Sequence, residues 1–172
     1  MRRHIALNGF MGAGKTTIGK KLARRLGVRF FDLDQLVVAD HGPIETIFDR
    51  FGKAAFRQFE LEALTKVIDE QAPGVIALGG GAVTNPPTLD VVKSKTYSIW
   101  LYLTIAETIK RVRAAKQVRP LLGPDPEPSK VAELYNERLA VYRQSHLKID
   151  AVGKTSGQVV NAILERLPKS VL

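Results

Sequence analysis

The chain has 172 residues, of which 26 are Lys or Arg and 17 are Asp or Glu, so its formal net charge is +9. Hydrophobic residues make up 45% of the sequence, Cys is absent, and no apolar run approaches the roughly 20 residues of a membrane helix. These values predict one globular domain over residues 1–172 and exclude disulfides, thiol chemistry, collagen and coiled coil.

Short apolar runs predict five strands, separated by segments whose apolar residues recur at helical spacing. In chain order the predicted elements are a strand at His4–Asn8, a helix at Lys15–Leu26, a strand at Val28–Asp32, helices at about 34–41, 44–50 and 53–71, a strand at Gly74–Leu78, a helix at Pro86–Lys95, a strand at Tyr97–Leu103, helices from Thr104 to about 115 and from Ser129 to about 146, a strand at Leu147–Val152, and a helix from Thr155 to about 167. This alternation predicts a three-layer α/β/α fold with a five-stranded parallel sheet.

A glycine-rich segment joins the first predicted strand to the first predicted helix. Residues 9–16, GFMGAGKT, fit the phosphate-loop pattern G-x-x-x-x-G-K-[ST]. The glycines let successive backbone N–H groups point at phosphate oxygens, and the following helix adds its positive dipole end. Lys15 is expected to reach the β- and γ-phosphates, and the Thr16 hydroxyl is expected to bind Mg²⁺. A chance match is the alternative, but the flanking strand and helix are the context that the motif requires.

Two acidic residues follow the second predicted strand. Asp32 and Asp34 lie at the carboxyl edge of the predicted sheet, where open α/β proteins bind ligands. One carboxylate there can support Mg²⁺, and the other can take a proton from an acceptor hydroxyl. The alternative for Asp34 is a purely structural helix N-cap.

Three consecutive glycines, Gly79, Gly80 and Gly81, follow the third predicted strand at the same edge. They expose backbone N–H groups and let a ligand approach closely. A plain turn into a helix is the alternative, although one or two glycines would be enough for it. The triple glycine is therefore predicted to contact a ligand.

A long irregular loop is predicted at residues 116–128, which read KQVRPLLGPDPEP and hold four of the nine prolines. Loops of this length in compact domains are usually functional or disordered. The residues alone therefore indicate a functional or a disordered segment, without assigning it a role.

The ordered set of motifs resembles the shikimate kinases over essentially the whole chain. The set comprises Gly12-Ala13-Gly14-Lys15-Thr16-Thr17, Asp32-x-Asp34, Ile44-x-x-Ile47-Phe48, Gly52-x-x-x-Phe56-Arg57-x-x-Glu60, Gly79-Gly80-Gly81, Arg119-Pro120-Leu121-Leu122 and Arg138-x-x-x-Tyr142. The resemblance implies a P-loop kinase fold, similar to that of nucleoside monophosphate kinases, with substrate-binding helices at about 33–62 and a lid at about 116–128. It also implies transfer of the γ-phosphoryl group of ATP to the 3-hydroxyl of shikimate, with Mg²⁺, on the route to chorismate and the aromatic amino acids.

The same resemblance implies a role for each matching residue. The expected catalytic residues are Asp34, Lys15 and Arg119. The expected nucleotide-binding residues are Gly12, Ala13, Gly14, Lys15, Thr16, Thr17 and Arg119. The expected substrate-binding residues are Asp34, Arg57, Gly79, Gly80, Gly81 and Arg138, and the expected metal site is Thr16 with Asp32 nearby.

The chemistry of shikimate agrees with these roles. A carboxylate that bears three hydroxyls should be held by planar cationic forks and by a hydrogen-bond acceptor. Glu60 follows Arg57 by three residues on a predicted helix and can orient its guanidinium. From the residues alone, Arg57 and Glu60 can equally be an exposed helical pair, and Arg138 is better explained as a surface arginine.

Some positions depart from the family pattern or remain unassigned. Lys53 stands where the family usually has Glu, and Val37 and Val38 occupy a stretch that often carries an acid. These departures bear on substrate affinity and not on the reaction class. Three further basic residues are candidates for the adenine pocket without a definite role: Arg111, Arg113 and Lys154.

The uneven charge bears on partners. Residues 1–29 hold eight Lys or Arg and no acid, yet aromatic residues are only 7% and do not alternate with basic ones. We therefore expect a cytoplasmic monomer that binds ATP and shikimate, with no nucleic acid and no membrane partner. The alternatives are another small-acceptor P-loop kinase, of the gluconate or nucleoside monophosphate type, and a non-catalytic protein that binds ATP or nucleic acid.

Overall fold

The computed structural model describes residues 3–115, 122–123 and 125–171. Five parallel strands form one sheet in the order β2-β3-β1-β4-β5. The strands are β1 His4–Asn8, β2 Phe30–Asp32, β3 Val75–Ala77, β4 Thr96–Tyr102 and β5 Leu147–Asp150. The central strand β1 pairs Ile5 with Val75 on one side and with Tyr97 on the other. The predicted five-stranded parallel sheet is thus confirmed.

Helices cover both faces of the sheet, because successive side chains of each strand point to opposite faces. The helices are α1 Lys15–Leu26, α2 Leu33–His41, α3 Ile44–Glu70, α4 Pro86–Lys95, α5 Ile105–Ala114, α6 Pro128–Tyr142 and α7 Ser156–Arg166, with a 3₁₀ turn at Ala82–Thr84. On one face Ile5 and Leu7 pack in a core with α1 and α7. On the other face Ala6 and Trp100 pack in a core with α3 to α6. These layers confirm the predicted α/β/α architecture.

The helix α3 contains the break that the sequence predicts between 44–50 and 53–71. Gly52 has φ 80° and ψ 174°, a conformation that splits the helix into two arms. The two arms wrap around a small third core, in which Ile47 and Phe56 pack against Val37 of α2. The kink thus lets one continuous segment surround a cavity.

Several boundaries differ from the prediction by one or more residues, and two elements near the site are examples. The strand β2 begins at Phe30 and not at Val28, but it ends at Asp32 as predicted, and Asp34 lies in the first turn of α2. The helix α6 begins at Pro128, whose fixed φ suits a first helical turn, and not after a Ser129 cap. It ends at Tyr142, and turns occupy residues 143–146.

The sequences Thr104-x-x-Glu107 and Thr155-x-x-Gln158 both fit the capping-box pattern at a helix start, but they form it to different extents. Thr155 and Gln158 form both hydrogen bonds of the box at the start of α7. Thr104 accepts from the backbone N–H of Glu107, but the Glu107 carboxylate accepts from Arg111 Nε at 2.7 Å. The second box is therefore only half formed.

Most of the predicted lid, with Arg119, lies outside the described residues. In the part of the chain that the structure does describe, no helix combines the length and the apolar character needed to cross a membrane.

Candidate active site

A cavity of about 510 Å³ opens where β1, β2 and β3 end. Its walls are the phosphate loop, the start of α2, the kinked helix α3, the triple glycine and α6. The predicted site residues that line it are Gly12, Gly14, Lys15, Thr16, Thr17, Asp32, Asp34, Arg57, Gly79, Gly80, Gly81 and Arg138. Ala13 is the exception among the described ones, because its side chain is buried beneath the loop, 1% exposed, and its N–H donates to Phe10 O at 3.2 Å.

The phosphate loop has the curled backbone that its glycines allow. Gly12 and Gly14 have φ of 81° and 87°, in the left-handed region that favours glycine. The Lys15 side chain folds back over the loop, and its Nζ donates to Gly9 O at 2.8 Å and to Phe10 O at 3.1 Å. The ammonium group therefore lies at the mouth of an anion-binding turn, at the N-terminus of α1.

Asp32 links the phosphate loop to α2. Its Oδ2 accepts a hydrogen bond of 2.7 Å from Thr16 Oγ1, and its Oδ1 accepts one of 3.3 Å from Gln35 N. Asp32 is therefore the N-cap of α2. The structural N-cap interpretation of Asp34 is wrong, since the cap is two residues earlier.

Asp34 points into the cavity from the first turn of α2. Burial raises its pKa, the nearby Lys15 and Arg57 cations oppose that rise, and the Asp32 carboxylate adds to it. A half-buried carboxylate between cations can still ionise. Asp34 is thus a hydrogen-bond acceptor at the same edge of the sheet as the phosphate loop.

Arg57 and Glu60 form a buried ion pair on the second arm of α3. Arg57 is 9% exposed and Glu60 is fully buried, so the interpretation as an exposed helical pair is wrong. Burial raises the pKa of Glu60 to about 7, with Arg57 opposing and Asp34 adding to the rise. One face of the Arg57 guanidinium lies 5.3 Å from the centre of the Phe56 ring.

Arg138 reaches the same cavity from α6. It is 4% exposed and its guanidinium lies 5.4 Å from the centre of the Phe10 ring, so it is not a surface arginine. A methyl group on Gly81 would overlap Arg57 Nη2 and would lie 3.2 Å from Arg138 Nη2. The two guanidinium groups therefore converge beside the triple glycine, where a carboxylate can be held by both.

The structure gives the surroundings of the three basic residues that have no assigned role and of the three departures from the family pattern. Arg111 Nη1 donates to Gly12 O at 3.3 Å, so this side chain lies against the phosphate loop, whereas Arg113 is exposed. Lys154 is exposed and donates to Asp150 O at 2.8 Å. Val37 is buried in the small core, and Val38 and Lys53 are exposed. None of the three departures lines the cavity.

Tyr142 is a residue whose place in the site only the structure reveals. The sequence marks it as part of the Arg138-x-x-x-Tyr142 motif, one helical turn after Arg138, without a role. Its hydroxyl donates to the Gly80 carbonyl oxygen at the edge of the cavity.

Comparisons with known proteins agree with this geometry. The family model for shikimate kinase matches residues 11–168. A shikimate kinase from Geobacter sulfurreducens is 38% identical over 162 residues, which cover 94% of this chain and 88% of that protein.

Solved structures give the same result. A shikimate kinase from Acinetobacter baumannii in complex with shikimate has a TM-score of 0.88 and 31% identity, over 98% of this chain and 97% of that one. A gluconokinase from Sinorhizobium meliloti has a TM-score of 0.65 at 19% identity, over 97% of this chain and 95% of that one, so the likeness there is one of fold alone. The phosphate loop, the paired arginines and these matches over nearly the full chain place the protein in the shikimate kinase family of ATP-dependent kinases.

Proposed function

We propose that the protein transfers the γ-phosphoryl group of ATP to the 3-hydroxyl of shikimate, giving shikimate 3-phosphate and ADP. The observation that carries this assignment is the convergence of two buried guanidinium groups, Arg57 and Arg138, in a cavity that the Asp34 carboxylate also lines. A family relative of known structure from Acinetobacter baumannii binds shikimate, which supports the choice of acceptor.

The acceptor is held by three kinds of group. Arg57 and Arg138 bind its carboxylate through charge-assisted hydrogen bonds, and burial makes these bonds stronger than they would be at the surface. Asp34 accepts hydrogen bonds from ring hydroxyls. The triple glycine contacts the ring through its backbone and also lets the polar side chains lie close to it, because a methyl group at Gly79 would overlap Asp34 Oδ1 and one at Gly81 would overlap Arg57 Nη2.

The nucleotide is bound at the phosphate loop. Backbone N–H groups of the loop and the N-terminus of α1 bind the phosphates, and Lys15 reaches the β- and γ-phosphates. Thr17 and Arg111 lie beside the loop.

The oxygens of Thr16 and Asp32 fit a magnesium ion, because a hydroxyl and a carboxylate 2.7 Å apart beside a phosphate site are hard oxygen donors. The described residues contain no group of three or more His, Cys, Asp or Glu that could hold a metal ion. The two side chains would therefore hold Mg²⁺ together with the phosphates and water. When bound, the ion neutralises charge on the phosphate oxygens.

Asp34 acts as the general base in the transfer. The 3-hydroxyl oxygen forms a bond to the γ-phosphorus while the bond from that phosphorus to the β–γ bridging oxygen breaks. The hydroxyl proton passes to Asp34, and the negative charge that leaves with ADP is stabilised by Lys15 and the loop N–H groups. The reaction therefore needs Asp34 ionised, which the Lys15 and Arg57 cations favour.

The remaining parts of the proposal come from the sequence. Arg119, in the lid at about 116–128, would place a positive charge on the transferring group when the lid closes and excludes water. We also propose a single domain that acts as a cytoplasmic monomer without nucleic acid or membrane partners.

The test is ADP release, measured by a coupled assay with shikimate, gluconate and nucleoside monophosphates as acceptors. The expected result is turnover with shikimate at a kcat/KM at least about 100-fold above that with the other acceptors, since unpaired buried arginines penalise an acceptor without a carboxylate at the right place. Equal or faster turnover with gluconate would assign the protein to another acceptor. ATP binding without turnover of any acceptor, or salt-sensitive binding of nucleic acid, would favour the non-catalytic alternative.

A further inference from the structure

Tyr142 connects two parts of the substrate pocket that lie on different elements. It is the last residue of α6 and is 1% exposed. Its hydroxyl donates to the carbonyl oxygen of Gly80, and the Arg138 guanidinium approaches the same glycine, with Nη1 3.6 Å from where a methyl group on Gly80 would lie. Two side chains of α6 therefore meet the backbone of the triple glycine at Gly80.

We propose that Tyr142 is a positioning residue for carboxylate recognition, which fixes the Arg138 guanidinium against the triple glycine so that both are set before the acceptor arrives. This role rests on the proposed function, because it concerns the same carboxylate. It adds a requirement that the motif alone does not express, namely that the end of α6 must be tied to Gly80 for the Arg138 guanidinium to face the carboxylate.

Among the described residues, the contacts of Arg138 set its position more than its direction. Its guanidinium lies 5.4 Å from the centre of the Phe10 ring, and a ring face attracts a cation without choosing a rotation in the guanidinium plane. Its Nη1 and Nη2 would lie 3.6 Å and 3.2 Å from methyl groups on Gly80 and Gly81, which sets a limit on approach but supplies no bond, and the Glu60 carboxylate attracts it by charge. The directional contact here is the hydrogen bond from the Tyr142 hydroxyl to Gly80 O, which holds the end of α6 that carries Arg138 against the triple glycine.

The phenol suits this task because it is a donor and an acceptor at once. Burial raises the pKa of Tyr142 to about 12, with the nearby Arg138 opposing that rise, so the hydroxyl keeps its proton at any pH at which the enzyme works. The Gly80 carbonyl thus always has its donor. A phenylalanine would keep the ring and its packing against Trp100, whose centre is 6.2 Å away, but would leave the Gly80 carbonyl without this donor.

The test compares Tyr142→Phe with a matched control on the same helix. Tyr135 is also buried, at 5% exposed, and its hydroxyl donates to a backbone carbonyl, Leu103 O, at 2.7 Å. It donates away from the triple glycine. Tyr135→Phe therefore removes the same kind of hydrogen bond from α6, keeps the ring that packs against Phe10, and leaves the hydrogen bond to Gly80 in place.

Tyr142→Phe is expected to raise the KM for shikimate by about 10-fold while kcat changes by less than about 3-fold. The reason is that a residue that positions a substrate-binding side chain affects substrate affinity more than the chemical step. The KM for ATP should stay within about 2-fold of the wild-type value, which also reports that the variant is folded. Tyr135→Phe should lower thermal stability by a similar amount and leave the KM for shikimate unchanged.

A second probe, shikimate methyl ester, separates positioning from a general loss of packing. The wild-type protein should prefer shikimate over the ester, and Tyr142→Phe should reduce that preference by several-fold, because the tyrosine acts through the guanidinium that binds the carboxylate. Tyr135→Phe should keep the full preference.

An unchanged preference in Tyr142→Phe, or an equal rise of KM in both variants, would overturn the positioning role. A wild-type protein that does not bind shikimate would overturn the proposed function itself and this inference with it, so the two failures are distinguishable by the wild-type measurement alone.

Discussion

Asp34 and Glu60 approach the same point beside the Cα atom of Gly79. A methyl group on Gly79 would lie 2.7 Å from Asp34 Oδ1 and closer still to Glu60 Oε1. The two carboxylates come from different helices, α2 and α3. Burial raises the pKa of both, and the charge of Asp34 adds to the rise at Glu60. The absence of a side chain at Gly79 is therefore what lets both acids occupy the pocket.

Gly79→Ala should disrupt this arrangement. The new methyl group forces Glu60 or Asp34 to move, and Glu60 can move only by weakening its bond to Arg57. We expect a loss of about 1–3 kcal/mol in the free energy of unfolding, as for other overpacked sites, and a fall of at least about 10-fold in kcat/KM for shikimate.

Gly80→Ala is the matched control for the free protein. A methyl group there would lie 3.4 Å from Met11 N, so the adjacent glycine has room for it. Its free energy of unfolding should stay near the wild-type value. Equal free energies of unfolding for Gly79→Ala and Gly80→Ala, measured with urea, would contradict the prediction that crowding at Gly79 destabilises the protein.

Glu60→Gln should change how stability depends on pH. The folded protein raises the pKa of Glu60 from 4.5 to about 7, so the buried carboxyl binds its proton more tightly than the unfolded chain does. Its contribution to stability is therefore fully present below pH 4.5 and is lost as the pH rises through about 7. Glutamine cannot ionise and removes this loss, which is on the order of 3 kcal/mol for a shift of this size.

The measurement is urea unfolding between pH 4 and 8 for the wild type, Glu60→Gln and the exposed control Glu62→Gln. Burial also raises the pKa of Asp34, so a shallower decline with the same sign should remain in Glu60→Gln. If the free energy of unfolding of Glu60→Gln falls with rising pH as steeply as that of Glu62→Gln, Glu60 is ionised throughout this range and the prediction is wrong.

Lys15→Met should abolish most of the activity and leave the fold intact. The ammonium contacts the carbonyl oxygens of Gly9 and Phe10 in the free protein and is positioned for the β- and γ-phosphates. Loss of such an electrostatic contact typically costs about 3–4 kcal/mol in the transition state, which predicts a fall in kcat of at least about 100-fold. Lys20→Met, on the exposed face of the same helix, should keep the wild-type kcat. Near-normal turnover by a folded Lys15→Met would refute the role of Lys15.

The order of the elements was predictable because local patterns determine it. The alternation of apolar runs with helical spacing gave the strands, and the phosphate loop identified the edge of the sheet at which Lys15, Thr16 and Asp32 meet. The gap between the predicted helices at 44–50 and 53–71 also matches the break in α3, where Gly52 takes the positive φ that the kink requires.

The burial of the charged pair was not predictable from its own residues. Arg57 and Glu60 have a spacing that an exposed helical pair would share, and only the packing of α2 and α6 around them makes Glu60 fully buried. The position of Arg138 depends in the same way on contacts between elements far apart in the sequence. The alternative that Asp34 is the N-cap of α2 was wrong by two residues, because helix boundaries shift by one or two residues without changing the sequence pattern.

Asp34→Asn tests the central claim most directly. Because Asp32 caps α2, the Asp34 carboxylate is not needed for the helix to begin, and asparagine keeps its size and one acceptor oxygen. The variant should unfold at nearly the wild-type temperature and bind ATP with nearly the wild-type affinity.

The deciding measurement is kcat for shikimate-dependent ADP release by Asp34→Asn, on the same preparation used for thermal unfolding and ATP affinity. Because asparagine cannot accept the hydroxyl proton, kcat should fall by about 100-fold or more, the usual scale of general acid–base catalysis. A stable, ATP-binding variant with the wild-type kcat would contradict the account, since it would mean that no protein base at Asp34 takes part in the transfer.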